Sequence, residues 1–295
     1  MVWQNFAEMV QKIRGCAPYS PGELFEVLGA GRGNMMIAKC SGGLLGALAC
    51  CALLELSLVG TASAAQSGRD TIAAAVADPS RPATDTNRDA NRKPVETLAF
   101  AGIRPGDKVA DFIANSGYFT RLFSDLVGAQ GHVYAVELNE VVDFPNVAPL
   151  YKTLQGWARD RPNVTLDTVP ASTPVAFPAK LDVFWISQNY HDLGDKFLGP
   201  LDVAKFNRQV FEALRPGGLY IVVDHVAAPG SPADVTETLH RIDPSVVRRQ
   251  VEAAGFVFVG ESKVLANPAD DHSKKVFDPA IQGHTDQFIY KFRRR

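Results

Sequence analysis

The stretch KVADFIANSGYFTRLFSDLVGAQGHVYAVE, Lys108–Glu137, restricts the possible folds more than any other part of this chain. Lys108–Phe112 reads as a buried strand and Tyr118–Val127 as an amphipathic helix. A glycine turn at Gly128–Gly131 leads into a second strand, His132–Val136, which ends on Glu137. This order is half of a nucleotide-binding α/β unit, in which the loop after the first strand and the helix N-terminus can receive an anionic group. Glu137 lies 20 residues past Gly117, where a carboxylate can accept both hydroxyls of a ribose. The loop Asp111-Phe-Ile-Ala-Asn-Ser-Gly117 has one glycine where a dinucleotide fingerprint has three. Ile113 is β-branched and resists positive φ, so the first turn is expected to be wider than usual or differently shaped. A plain crossover without a ligand is the competing reading of this stretch.

With 295 residues, 46% apolar and 21% charged, the chain has ordinary globular composition and ample length for a core. A net charge of −2 offers no basic footprint, so nucleic acid is not expected as a partner. Before the folded part, MMIAKCSGGLLGALACCALLELSLVGTASAAQ resembles a secretory signal peptide over residues 35–64. Lys39 is the positive region, Leu44 to Val59 the apolar run, and Ala62-Ser63-Ala64 the cleavage pattern. Glu55 within the run argues against a stable membrane span. The reading implies export to the periplasm or secretion, or a cytoplasmic protein if the signal is not used. Residues 1–34 then form an upstream extension, with translation expected to start at Met35 or Met36. In that extension Trp3, Phe6, Val10 and Ile13 recur at helical spacing.

Cys16, Cys40, Cys50 and Cys51 all precede the expected cleavage point. The mature part therefore has no disulfide, no zinc–thiolate site and no cysteine nucleophile. Residues 65–93 read as a short helix, Arg69–Ala77, followed by an extended polar linker rich in Asp, Arg, Asn and Pro.

From Pro94 to Arg295 helical and strand patterns alternate. A helix at Pro94–Gly102 precedes the first strand. Helices at Val147–Asp160, Val203–Leu214 and Ser245–Ala254 separate strands at Asn163–Val169, Leu181–Ser187, Leu219–Asp224 and Phe256–Val264. No long helix separates the sixth strand from the last, Gln287–Arg293, which can therefore insert antiparallel beside it. The pattern predicts a Rossmann-like, doubly wound α/β domain: a mostly parallel seven-stranded sheet with an antiparallel last strand and helices on both faces.

Leu214-Arg-Pro-Gly-Gly-Leu219 before the fifth strand, with the closing strand, Glu137 and the Asp111 loop, resembles the class I S-adenosylmethionine-dependent methyltransferase family. Asn189-Tyr-His-Asp192, Val223-Asp-His225, His240-Arg-Ile-Asp243 and Phe277-Asp-Pro-Ala280 are similar to a bacterial subgroup of predicted methyltransferases that often carry signal peptides. The resemblance covers about Pro94 to Arg295. It implies S-adenosyl-L-methionine as cofactor and a small-molecule acceptor. Asp111, Ser116, Gly117 and Tyr118 would border the methionine end, Glu137 the ribose, and the Val169-Pro170-Ala171 segment the adenine. No acidic residue stands in that last segment to accept the adenine amine.

Methyl transfer from a sulfonium is an in-line displacement, so the protein supplies alignment and desolvation, with a base where the acceptor carries a proton. Asn189, His191 and Asp192 follow the fourth strand and Asp224-His225 ends the fifth, at the carboxyl edge where open α/β sheets bind ligands. His191 is the expected base, oriented by Asp192 or Asp224, and His225 and His240 can reach the same rim. Asp243 before Pro244 reads as a helix cap. Three other readings compete: an exported methyltransferase-like binding protein without catalysis, a metal-assisted hydrolase using His191, Asp192, His225 and His240, and a nicotinamide dehydrogenase, which the missing glycines disfavour.

Overall fold

The computed structural model describes residues 68–173, 175–199 and 201–295. The leader, the upstream extension and all four cysteines lie outside the described residues. The first described element is a helix, α1 (68–76). It is followed by two short helices, α2 (Ala83–Thr86) and α3 (Asp89–Arg92), and by α4 (Pro94–Ala101). The extended linker expected here is therefore incorrect. Its alternating Asp and Arg residues form a folded cap whose Arg81 and Asp85 are buried.

The β–α–β unit follows as β1 (Lys108–Phe112), α5 (Tyr118–Val127) and β2 (His132–Leu138). Next come α6 (Asn139–Val142), α7 (Ala148–Ala158), β3 (Val164–Val169) and β4 (Leu181–Ser187). The chain ends with α8 (Val203–Ala213), β5 (Leu214–His225), α9 (Val235–Leu239), α10 (Pro244–Ala253), β6 (Val257–Ser262) and β7 (Gln287–Arg293). The seven strands run in the order β3-β2-β1-β4-β5-β7-β6, with β7 antiparallel to both neighbours. The expected fold class is the one observed.

Strand periodicity sends alternate residues to opposite faces. Val109, Val133, Val183 and Trp185 pack with Leu98 of α4 and Phe119, Leu122 and Phe123 of α5. Ala110, Phe112, Phe184, Ile186 and Tyr220 pack on the other face with Phe206 and Val210 of α8 and Val247 and Val251 of α10. Asp111 and Glu137 share the α5 face with Val109 and Val133.

Chain direction diverges between β1 and β4. The β1 loop (113–117) and the β4 loop (188–192) thus flank the topological switch point, the ligand-binding crevice of open α/β sheets. The β3–β4 connection, residues 170–180, contains no helix among its described residues. A cavity of about 390 Å³ lies beneath it, lined by Tyr134, Val136, Val169, Pro170, Phe177 and Lys205 among others.

Candidate active site

The first loop takes the positive φ at Ile113 that local propensity disfavours. Ile113 takes a left-handed backbone (φ 59°), as does Asn115 (φ 53°). Two features hold the strained Ile113 in place. Its amide and that of Ala114 both donate to Val136 O, at 2.8 and 3.1 Å, and its side chain is 4% exposed within the apolar core. Gly117 starts α5 at φ 77°, and a Cβ there would lie 2.3 Å from Leu154 Cδ1. Glycine is required at Gly117 by both its backbone and its neighbour.

Glu137 faces this loop. Its Oε2 accepts the Asn115 amide at 2.7 Å and its Oε1 accepts the Leu138 amide at 2.9 Å. The residue has no exposed surface, and burial raises its pKa to about 7 against those two hydrogen bonds. Asp111, at the end of β1, accepts Thr120 Oγ1 at 2.6 Å. Burial lifts its pKa to about 6, opposed by the Thr120 bond and the charge of Arg92. Asn115 Nδ2 lies 3.5 Å from Asn189 Oδ1 and so bridges the two loops across the switch point.

The cap supplies residues that sequence reasoning missed. Arg88 donates to Ser116 Oγ at 2.9 Å. Arg121 pairs with buried Asp85 at 2.9 Å and donates to Ser116 O. Arg81 forms a two-pronged pair with Asp89, which also accepts the Tyr118 hydroxyl at 2.6 Å. Tyr118 is therefore engaged by the cap and buried. Arg92 lies 4.7 Å from the Tyr118 ring centre and donates to Gln188 Oε1 at 2.9 Å. No described carboxylate forms an ion pair with Arg92. Burial and the neighbouring charge of Arg88 lower its pKa to about 10. The signal was present in the sequence: Asp78, Arg81, Asp85, Arg88, Asp89 and Arg92 recur at helical spacing.

On the other side of the crevice, the residues after β4 and β5 converge. His191 Nδ1 lies 2.8 Å from Asp224 Oδ1, and the His191 amide donates to Asp224 Oδ2 at 2.8 Å. His191 Nε2 lies 3.2 Å from Asp192 Oδ1. Asn189 Nδ2 donates to Asp192 Oδ2 at 3.0 Å. Burial alone would lower the His191 pKa, but the Asp224 charge and the hydrogen bonds from Asp192 and Asp224 outweigh it and raise it to about 10. Burial opposes ionisation of Asp192, yet its bonds to His191 and His240 hold it well below the usual carboxylate range. With both ring nitrogens held by carboxylates, His191 has no free lone pair. The expected free-base role does not match this geometry.

His240 comes from the loop after α9, in a left-handed conformation (φ 53°), with Nδ1 3.7 Å from Asp192 Oδ1. It thus reaches the rim as expected, packed against Phe277 at 4.9 Å between ring centres. The His225 ring lies 6.1 Å from that of His191, centre to centre, but it is not part of the cluster that His191, Asp192 and His240 form. Its Nδ1 lies 2.7 Å from Thr285 Oγ1, and burial pulls its pKa down to about 4 despite Asp224. Asp243 caps α10, accepting the Ser245 amide at 2.8 Å. Pro170 is exposed and lines the cavity beside the β3–β4 connection. Glu140 accepts the Ala171 amide at 3.0 Å, so this wall does carry a carboxylate, supplied by α6.

No family model matches the chain. Among curated proteins it is similar to the ubiquinone/menaquinone biosynthesis C-methyltransferase of Ectopseudomonas mendocina, 24% identical over 199 residues. The match covers 66% of this chain and 66% of that protein, so the chain spans just under two thirds of its relative's length. Among solved structures, the protein in complex with the Trm112 methyltransferase activator of Haloferax volcanii aligns with a TM-score of 0.50. It is 14% identical, over 76% of this chain and 97% of that one. A SAM-dependent methyltransferase from Aquifex aeolicus aligns with a TM-score of 0.47 at 16% identity, over 70% of this chain and 98% of that one. The fold is that of the class I methyltransferases.

Proposed function

We infer that this protein is an S-adenosyl-L-methionine-dependent methyltransferase acting on a small molecule. The observation that carries the reading is Glu137, a carboxylate at the carboxyl end of β2, facing the loop after β1 at the switch point of a methyltransferase-type sheet. The similarity to a curated C-methyltransferase supports it.

The residues present fit the cofactor. Glu137 would hold the ribose hydroxyls, and reaching them requires the Asn115 segment to yield, because that amide now covers Oε2. Arg92, a half-buried guanidinium hydrogen-bonded to the neutral Gln188 acceptor, would take the methionyl carboxylate, and Asp111 the ammonium group. Leu138, Glu140 and the Val169–Ala171 segment would border the adenine. When bound, the cofactor supplies an electrophilic methyl group on a sulfonium. The chain's own residues align the acceptor and exclude water. Asn189 sits between the two loops and can position the acceptor atom. His191, clamped by Asp224, fixes Asp192 beside His240 at the rim.

A non-catalytic binding protein is the second reading, and one observation favours it: Glu137 has no exposed surface. Calorimetric titration of the full chain with S-adenosylmethionine and S-adenosylhomocysteine decides between them. Micromolar binding that Glu137→Ala abolishes supports methyl transfer, and silence toward both ligands refutes it. Export through residues 35–64 belongs to the same proposal. N-terminal sequencing of the protein recovered from cells tests it, with a mature start near Gln66 expected.

A further inference from the structure

We propose that His191, Asp192 and His240 form a binding site for a divalent transition-metal ion, with Asp224 as the carboxylate that orients His191. The three side chains each bring one ligand atom, and these atoms lie within 4.8 Å of one another. Ligands about 2.0–2.1 Å from zinc at tetrahedral angles lie about 3.3 Å apart. The observed separations from Asp192 Oδ1 are 3.2 Å to His191 Nε2 and 3.7 Å to His240 Nδ1. A small inward shift of the three donors completes the site.

The surroundings match what a metal-bound histidine requires. A ligating imidazole donates its second nitrogen to a carboxylate that fixes its tautomer, as His191 Nδ1 does to Asp224 at 2.8 Å. Asp224 is itself fixed by the His191 and His225 amides. Asp192 has one oxygen anchored by Asn189, which leaves Oδ1 for the ion. Binding the ion displaces the proton that His191 Nε2 shares with Asp192 Oδ1; the two carboxylates and two neutral imidazoles then sum to −2, the charge a divalent cation cancels. Mixed imidazole and carboxylate donors suit zinc, iron or manganese. Three protein ligands leave at least one position for a further ligand. Side-chain exposure of 21% at His240 opens that position to the rim.

Of the four residues that sequence reasoning grouped as ligands, His225 falls outside the cluster, with its Nδ1 turned to Thr285. The ion site does not depend on the methyltransferase reading. Only its use does: on that reading the ion would select acceptors carrying an oxygen donor next to the methylated atom.

The probe is zinc alone, titrated calorimetrically into the metal-free full chain with serine in place of Cys16, Cys40, Cys50 and Cys51. That background prevents the leader thiols from binding the ion. One equivalent is expected to bind with micromolar or tighter affinity, weakened at least tenfold by His240→Ala and by Asp192→Asn. Cobalt should give a visible d–d absorption band that His240→Ala removes. These variants keep the buried His191–Asp224 pair, so they test the site without disturbing the core. No zinc binding by the parent chain, or an affinity unchanged in both variants, overturns the proposal. Titration with S-adenosylhomocysteine on the same sample reports on the cofactor reading separately.

Discussion

Glu137 accepts the Asn115 amide at 2.7 Å, so the end of the second strand is bonded directly to the turn that follows the first. A buried carboxyl with a pKa near 7 forms this link, and its protonation affects both stability and ligand affinity.

The folded-state pKa of Glu137 lies above its ordinary 4.5. Folding therefore favours the protonated form, and the associated stability is full below pH 4.5 and lost as pH rises through about 7. Asp111, raised to about 6, acts in the same sense. Glu137→Gln should remove its share of this dependence, making the variant about 2–3 kcal/mol more stable relative to wild type at pH 8 than at pH 4. Urea melts across this range measure it, and parallel wild-type and variant curves would show that Glu137 does not titrate there. Ribose hydroxyls favour the ionised form, so S-adenosylhomocysteine affinity of the wild type should rise between pH 5 and 7.

Arg92→Met removes a half-buried cation that no described carboxylate pairs with. The melting temperature should hold or rise, while S-adenosylhomocysteine affinity falls about 10- to 100-fold through loss of a charged hydrogen bond. Calorimetry alongside thermal melts separates the two effects. Unchanged affinity would remove Arg92 from the proposed cofactor site.

Asp85 and Arg121 form a pair whose side chains are 1% and 6% exposed. Removing one partner leaves the other charge buried, so Asp85→Ala should cost about 3 kcal/mol. A flexible linker residue would cost below about 0.5 kcal/mol. Chemical denaturation distinguishes these values, and the smaller one would show that the cap is not part of the cooperative fold.

Gly117→Ala meets the Leu154 side chain at 2.3 Å in a backbone region that disfavours Cβ. A loss of about 2 kcal/mol is expected. Combining it with Leu154→Ala should give less than the sum of the single losses, because the clash and the cavity share one space. Additive losses would mean that backbone strain alone is responsible.

The β–α–β unit was legible because burial and periodicity act locally. β1 and α5 begin and end at the residues that the alternation of apolar and polar side chains marks. β2 runs two residues further and takes Glu137 into the strand. The antiparallel last strand was legible from the helix-free connection before it. What was missed depends on distant partners. The Asp–Arg segment reads as solvated until Tyr118 and Arg121 are brought against it. Ile113 at positive φ contradicts local propensity and is held by Val136 O and the core. Convergence of His191, Asp192 and His240 depends on a loop near residue 240 folding back over the β4 edge, which spacing along the chain does not encode. His225 turns its Nδ1 to Thr285, a partner 60 residues along the chain.

The passage between β3 and β4, helix-free among its described residues, has a mechanical corollary. It must cross β2 and β1, three strand spacings or about 14 Å, while returning the length of a strand, about 20 Å, a straight-line span of about 24 Å. Roughly 11 extended residues reach about 36 Å, so about a third of the contour is slack, part of it taken up in the turn that the Thr173 amide closes on Pro170 O. Deleting two or three residues would use up most of that slack and still leave β3 in register. The wall at Val169–Ala171 can therefore shift without moving the sheet behind it.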